Sequence, residues 1–83
     1  MGIDAATLSR LRWRSRRGMR ELDQVLGGWL DRHADVADAE AIAAYEALLA
    51  VEDSEIWAWL MGRAVPPPQH APLIDELRHP AQR

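Results

Sequence analysis

The chain has no cysteine, no lysine and no phenylalanine, and a single tyrosine. Without cysteine there is no disulfide scaffold, no thiolate zinc site and no thiol nucleophile. No apolar run approaches the roughly twenty residues that a membrane-spanning helix needs, so no membrane association is expected. Valine and isoleucine are few and no alternating apolar–polar run reaches five residues, which argues against strands. A glycine-rich phosphate loop is missing too, because Gly27-Gly28 is not the G-x-G-x-x-G pattern. The missing lysines, in a chain rich in alanine and arginine, fit a GC-rich coding sequence better than a functional demand.

What is present suffices for a fold. Apolar residues make up 48% of the 83 positions, enough for a core and too many for a disordered chain. That length predicts one domain spanning residues 1–83, with residues 79–83 as a frayed tail. Arginines interrupt every apolar stretch near the start, so no secretory signal is expected and the protein is placed in the cytoplasm. An acid-poor, arginine-rich start also suits a mitochondrial presequence, but a charged motif follows it at once.

Apolar spacing is helical throughout. A first helix is expected from Asp4 to Ser15, with Asp4 as N-cap and Leu8 and Leu11 on one side. The second carries the clearest stripe: Met19, Leu22, Val25, Leu26, Trp29 and Leu30. Gly27 and Gly28 interrupt it, and their small size suggests close approach of a neighbouring helix. The third is expected from Asp38 or Ala39 to Val51, with Ile42, Tyr45, Leu48 and Leu49 inward. A short fourth helix is expected over 54–61, capped by Asp53 and stopped by Gly62. After Pro66-Pro67-Pro68, which forbids helix, a last short helix begins near Pro72 with Leu73, Ile74 and Leu77 inward. The fold class is therefore all-α: a small bundle of four to five short helices.

Catalytic chemistry finds little support. Thr7, Ser9, Ser15, Ser54 and Tyr45 supply hydroxyls, but none sits in a nucleophile elbow or in helical register with a histidine. His33 and Asp35 are two apart and do not face each other on a helix; His33 reads as a solvated helix-end residue. His70 and His79 have no companion at metal-ligand spacing. No enzyme activity and no metal are expected. The tryptophans could stack on bases or on a flavin, but Trp29 lies on the apolar stripe and one of Trp57 and Trp59 must face the core. Trp13, between Arg12 and Arg14, is the best exposed candidate.

Charge is unevenly spread. Residues 1–20 hold Arg10, Arg12, Arg14, Arg16, Arg17 and Arg20 against Asp4 alone, a net +5, while residues 21–83 carry a net −8. Three readings of the basic segment are open: a solvated helix end, a phosphate-binding patch, or a protein-binding site. The acidic body and the adjacent Glu21 and Asp23 count against nucleic acid, which stands as the alternative, in a nucleic-acid-binding or antitoxin-like regulator. Arg17 and Glu21 share a face if one helix runs through both, and their order is then unfavourable. A helix starting near Gly18 places Arg16 and Arg17 at its positive pole, again unfavourably. Such local conflicts tend to fall at functional sites. Gly18 is either the corner between two helices, a point of close approach by another backbone, or both.

The segment from Trp13 to Asp23 resembles the signature of the SdhE-type succinate dehydrogenase flavinylation factors, whose hallmark R-G-x-x-E is matched by Arg17, Gly18 and Glu21. Arg16, the Met19-Arg20 pair and Leu22-Asp23 match its flanks. Glu52-Asp53 and Trp59-Leu60-Met61 resemble the family's acidic turn and following helix, so the likeness covers nearly the whole sequence. The resemblance implies a five-helix assembly chaperone that is not an enzyme. It implies binding to the flavoprotein subunit of succinate dehydrogenase, or of fumarate reductase, to promote covalent attachment of FAD. FAD is then the partner's cofactor, with none held stably by this chain, and a monomer is expected. Carried over residue by residue, Arg17, Gly18 and Glu21 are the motif, Arg16, Met19 and Asp23 flank the contact, and Arg10 lies about two turns upstream.

Overall fold

Two aspartates start helices in the computed structural model, which describes residues 2–79. Asp4 precedes α1 (Ala5–Arg14) and accepts the Thr7 amide at 3.2 Å. Asp38 precedes α3 (Ala39–Leu49) and accepts the Ala41 amide at 2.8 Å. Each carboxylate thus satisfies one of the amides that a helix start leaves without a partner. Hydrogen bonding from Thr7, side chain first and backbone second, holds the Asp4 carboxyl below its usual pKa. The remaining helices are α2 (Arg20–His33), α4 (Asp53–Leu60) and α5 (Ala71–Arg78). The described residues contain five helices and no strand, as the helical spacing predicted. Of the expected frayed tail, His79 is the C-cap of α5, and 80–83 lie outside the described residues.

Helix ends follow local chemistry at four of the expected places and depart from it at one. Gly62, at φ +74°, ends α4 where a left-handed residue is required. Its amide bonds the Trp59 carbonyl at 3.1 Å and the Arg63 amide bonds Ala58 at 2.8 Å, which is the Schellman pattern. Pro72 sits in the first turn of α5. Asp53, expected to cap α4, does not: Glu52 is the N-cap, without a side-chain bond, and Asp53 is the first helical residue. Its carboxylate is taken by Arg17 instead, and a charge-assisted bond outcompetes a neutral amide.

The core centres on Trp29. Its indole lies between Tyr45, with centroids 4.7 Å apart and planes 10° apart, and His33, at 4.5 Å and 16°. Trp29 Nε1 donates to Glu76 Oε1 at 2.9 Å, so one side chain of α2 joins both α3 and α5. Burying the ring brings a large apolar area, and each stacked pair adds about 1 kcal/mol. His33 is therefore not the solvated residue its position suggested. It is half-buried, and Nδ1–H donates to the Trp29 carbonyl at 2.9 Å. The expected stripes are inward: Leu22, Leu26 and Leu30 on α2, Leu48 and Leu49 on α3, Leu73, Ile74 and Leu77 on α5. Of the two tryptophans of α4, Trp59 is buried and stacks on buried His70, while Trp57 is half-buried against the core. α2 packs on α1 and α5, and α4 packs on α5.

Candidate functional site at the α1–α2 corner

Helix α1 ends at Ser15, and the chain turns through Arg16, Arg17, Gly18 and Met19 before α2 begins at Arg20. The first anchor of this corner is buried. Ser15 Oγ contacts the Leu11 carbonyl at 2.7 Å and the Tyr45 hydroxyl at 2.5 Å, and Tyr45 reaches the Leu26 carbonyl at 3.0 Å. Two hydroxyl protons serve these three contacts, so the end of α1 is tied to α2 through a side chain of α3. Burial raises the Tyr45 pKa from 10.0 to about 12.

The second anchor is Arg17. Its Nε donates to Asp53 Oδ1, and its two terminal nitrogens donate to the carbonyls of Leu49 and Val51, each at 2.6 Å. Leu49 is the last residue of α3, where carbonyls lack helical partners and the dipole is negative. The guanidinium leaves the positive pole of α2, where a cation is unfavourable, and settles on the negative pole of α3. That resolves half of the conflict visible in the sequence.

The third anchor is Asp23, within α2. Its carboxylate accepts the Arg17 amide at 2.8 Å and the Gly18 amide at 3.3 Å. Met19 is the N-cap and its side chain offers no capping bond; Asp23 instead ties the two loop residues before it to the first turn of the helix. Gly18 adopts φ +89°, a conformation that L side chains rarely take. No atom lies within 4 Å of where its Cβ would be, so the glycine is required by the backbone and not by crowding.

The residues singled out in the sequence therefore separate into an outer and an inner set. Arg16, Gly18 and Glu21 are exposed. Among the described residues neither Arg16 nor Glu21 has an ion pair. Met19, Asp23 and Arg17 are half-buried and hold the corner from within. Arg17 and Glu21 do not share a helix face, because α2 starts after Arg17. Arg10 is placed apart from the group: it pairs with Glu46 at 2.8 Å, bridging α1 to α3. Arg12, also of the basic segment, pairs with Asp31 at 2.7 Å.

A shallow groove runs along the corner, lined by Arg12, Ser15, Arg16, Gly18, Asp23 and Gly27 among others. Gly27 opens onto this groove, with no atom within 4 Å of its missing Cβ, and Gly28 meets only the Arg32 side chain. The glycine pair thus admits no neighbouring helix, contrary to the expectation from size alone. Trp13, one turn before the corner, is 72% exposed. Sequence reasoning missed Asp53, Ser15 and the carbonyls of Leu49 and Val51 as partners of the corner. The Glu52-Asp53 pair was visible as a helix start and as the family's acidic turn, with nothing to link it to Arg17. Among the described residues no three His, Asp or Glu side chains converge to hold a metal, and no helix is long and apolar enough to cross a membrane.

Comparison with known proteins places this corner in context. Residues 9–81 match the family described as flavinator of succinate dehydrogenase. The chain is 46% identical over 63 residues to the FAD assembly factor SdhE of Xylella fastidiosa strain 9a5c, covering 75% of this chain and 64% of that protein. It is 34% identical over 77 residues to the FAD assembly factor SdhE of Legionella pneumophila strain Lens, covering 93% and 98% of the two chains. With the mitochondrial succinate dehydrogenase assembly factor 2 of Arabidopsis thaliana it shares 36% identity over 62 residues, 74% of this chain and 33% of that one. No solved structure matches at the same level of significance. With the match spanning nearly all of the chain from the middle of α1 onward, the protein belongs to the flavinator of succinate dehydrogenase family.

Proposed function

We propose that the protein is an assembly factor that binds the flavoprotein subunit of succinate dehydrogenase, or of fumarate reductase, and promotes covalent attachment of FAD to it. The contact surface is the α1–α2 corner, with Arg16, Gly18 and Glu21 meeting the partner and Trp13 at the rim. One observation carries this reading: Arg16 and Glu21 stand in solvent without an ion pair among the described residues, on a corner that three internal anchors hold in place. A preordered backbone limits the cost of binding to the ordering of the side chains themselves, and arginine with an aromatic neighbour suits a protein interface.

The basic segment also looks less like a phosphate footprint than its charge suggested. Arg10, Arg12 and Arg17 are each paired with an acid of the same chain. That leaves Arg14, Arg16 and Arg20, interleaved with Glu21, for a partner. The protein supplies no reacting group. Its contribution is greater affinity for the flavoprotein conformation that attaches FAD, which shifts the population toward it. FAD remains the partner's cofactor.

A pull-down from the native host tests this directly. The tagged protein is expected to retain a flavoprotein dehydrogenase subunit, and mass spectrometry identifies which one. Glu21→Ala is expected to lose it while the protein stays folded. Retention of nucleic acid in place of a flavoprotein, with affinity falling steeply as salt rises, contradicts the reading.

A further inference from the structure

Arg17 belongs to the motif, yet its side chain points away from the surface. After Ser15, side-chain hydrogen bonds hold the corner from two flanks: from Asp23 on the backbone amides of Arg17 and Gly18, and from Asp53, Leu49 and Val51 on the Arg17 guanidinium. On the outer side nothing lies within 4 Å of the position a Gly18 Cβ would take. Gly18 at φ +89° has many other conformations open to it. The two carbonyls on Arg17 are fixed by the end of α3, so the charged member of the inner flank is Asp53.

We propose that Asp53 is a positioning residue for the partner-binding site: through Arg17 it holds the Gly18 corner in the conformation that presents Arg16 and Glu21. This rests on the function proposed above. Without the carboxylate, the guanidinium keeps two neutral acceptors and loses its counter-charge, and the corner populates other conformations. Only the competent fraction binds, so apparent affinity falls by that fraction. Saturating partner draws the whole population back, so the maximal effect is retained. A residue that merely contributes to stability leaves apparent affinity unchanged wherever the protein is folded.

The test compares wild type, Asp53→Asn and Asp53→Ala, full length, at a temperature where circular dichroism shows all three folded. Covalent flavin attachment to purified apo flavoprotein subunit with FAD is followed against assembly-factor concentration, alongside amide spectra of the free proteins. The half-saturating concentration is expected to rise roughly fivefold for Asp53→Ala, with an unchanged plateau. Asp53→Asn, which keeps one acceptor oxygen, is expected to fall between. The Gly18 amide is expected to move while the Trp29 indole signal stays. A half-saturating concentration for Asp53→Ala equal to wild type overturns the proposal, as does a lowered plateau at unchanged half-saturation. If wild type itself fails to accelerate attachment, the proposed function is what fails. The Gly18 amide then decides the positioning role alone, and an unmoved signal in Asp53→Ala overturns it.

Discussion

Arg17 and Glu21 stand four residues apart and face opposite ways: the guanidinium is tied to three oxygens of the α3–α4 segment, and the carboxylate is in solvent. Two residues of one short motif therefore do different jobs. Arg17→Ala leaves two carbonyls and a carboxylate without their donor and is expected to cost about 3 kcal/mol. Glu21→Ala removes a side chain that is exposed and without an ion pair among the described residues, and is expected to change stability by no more than about 0.5 kcal/mol. Urea unfolding of the two variants beside wild type checks the contrast. Equal effects would mean that the inner and outer roles are misassigned.

Gly18 tests the corner from the backbone side. An alanine there meets no atom but must take φ +89°, which is expected to cost about 1–2 kcal/mol. The same change at Gly27, inside α2 and equally free of neighbours, is expected to stabilise by roughly 0.5–1 kcal/mol. Opposite signs at two uncrowded glycines, read as opposite shifts in melting temperature, separate backbone strain from helix propensity.

Tyr45 gives the fold an alkaline limit. Burial raises its pKa from 10.0 to about 12, so between these values the folded protein keeps a proton that the unfolded chain has released. Stability is then fully present below pH 10 and falls as pH rises toward 12, by on the order of 2 kcal/mol. Urea midpoints across pH 8 to 12 are expected to show the decline. Tyr45→Phe is expected to be less stable at pH 8, because the Leu26 carbonyl loses its donor, and to lack the tyrosine-linked part of the slope. An unchanged slope in that variant would place the alkaline transition elsewhere.

Much of the fold was legible because it is written locally. Asp4, Asp38, Gly62 and Pro72 mark helix ends through contacts a few residues long, and the apolar stripes name the core faces. The site was legible in part. Arg16, Gly18 and Glu21 stood out as a local conflict and as a family likeness, but the side chains that hold them lie far along the chain. Asp53 sits 36 positions from Arg17 and looks like a cap in any short window. His33 looked solvated for the same reason: its stacking partner Trp29 is itself fixed by Tyr45 and Glu76, from other helices. Spacing within one helix carries no information about which distant group will claim a polar side chain.

Trp13 offers a readout at the rim of the surface. It is 72% exposed, so Trp13→Ala is expected to leave the melting temperature within a degree or two of wild type while weakening partner binding. Binding of the flavoprotein subunit to surface-immobilised wild type and variant measures the second effect. Equal affinities would remove Trp13 from the interface.

The most direct measurement is covalent flavin on the dehydrogenase subunit in cells that lack this protein, read as in-gel flavin fluorescence at matched subunit levels. The expected result is loss of the fluorescent band, its return with the wild-type gene, and no return with Glu21→Ala expressed at the same level. A band of normal intensity in the deletion strain would contradict a role in flavin attachment.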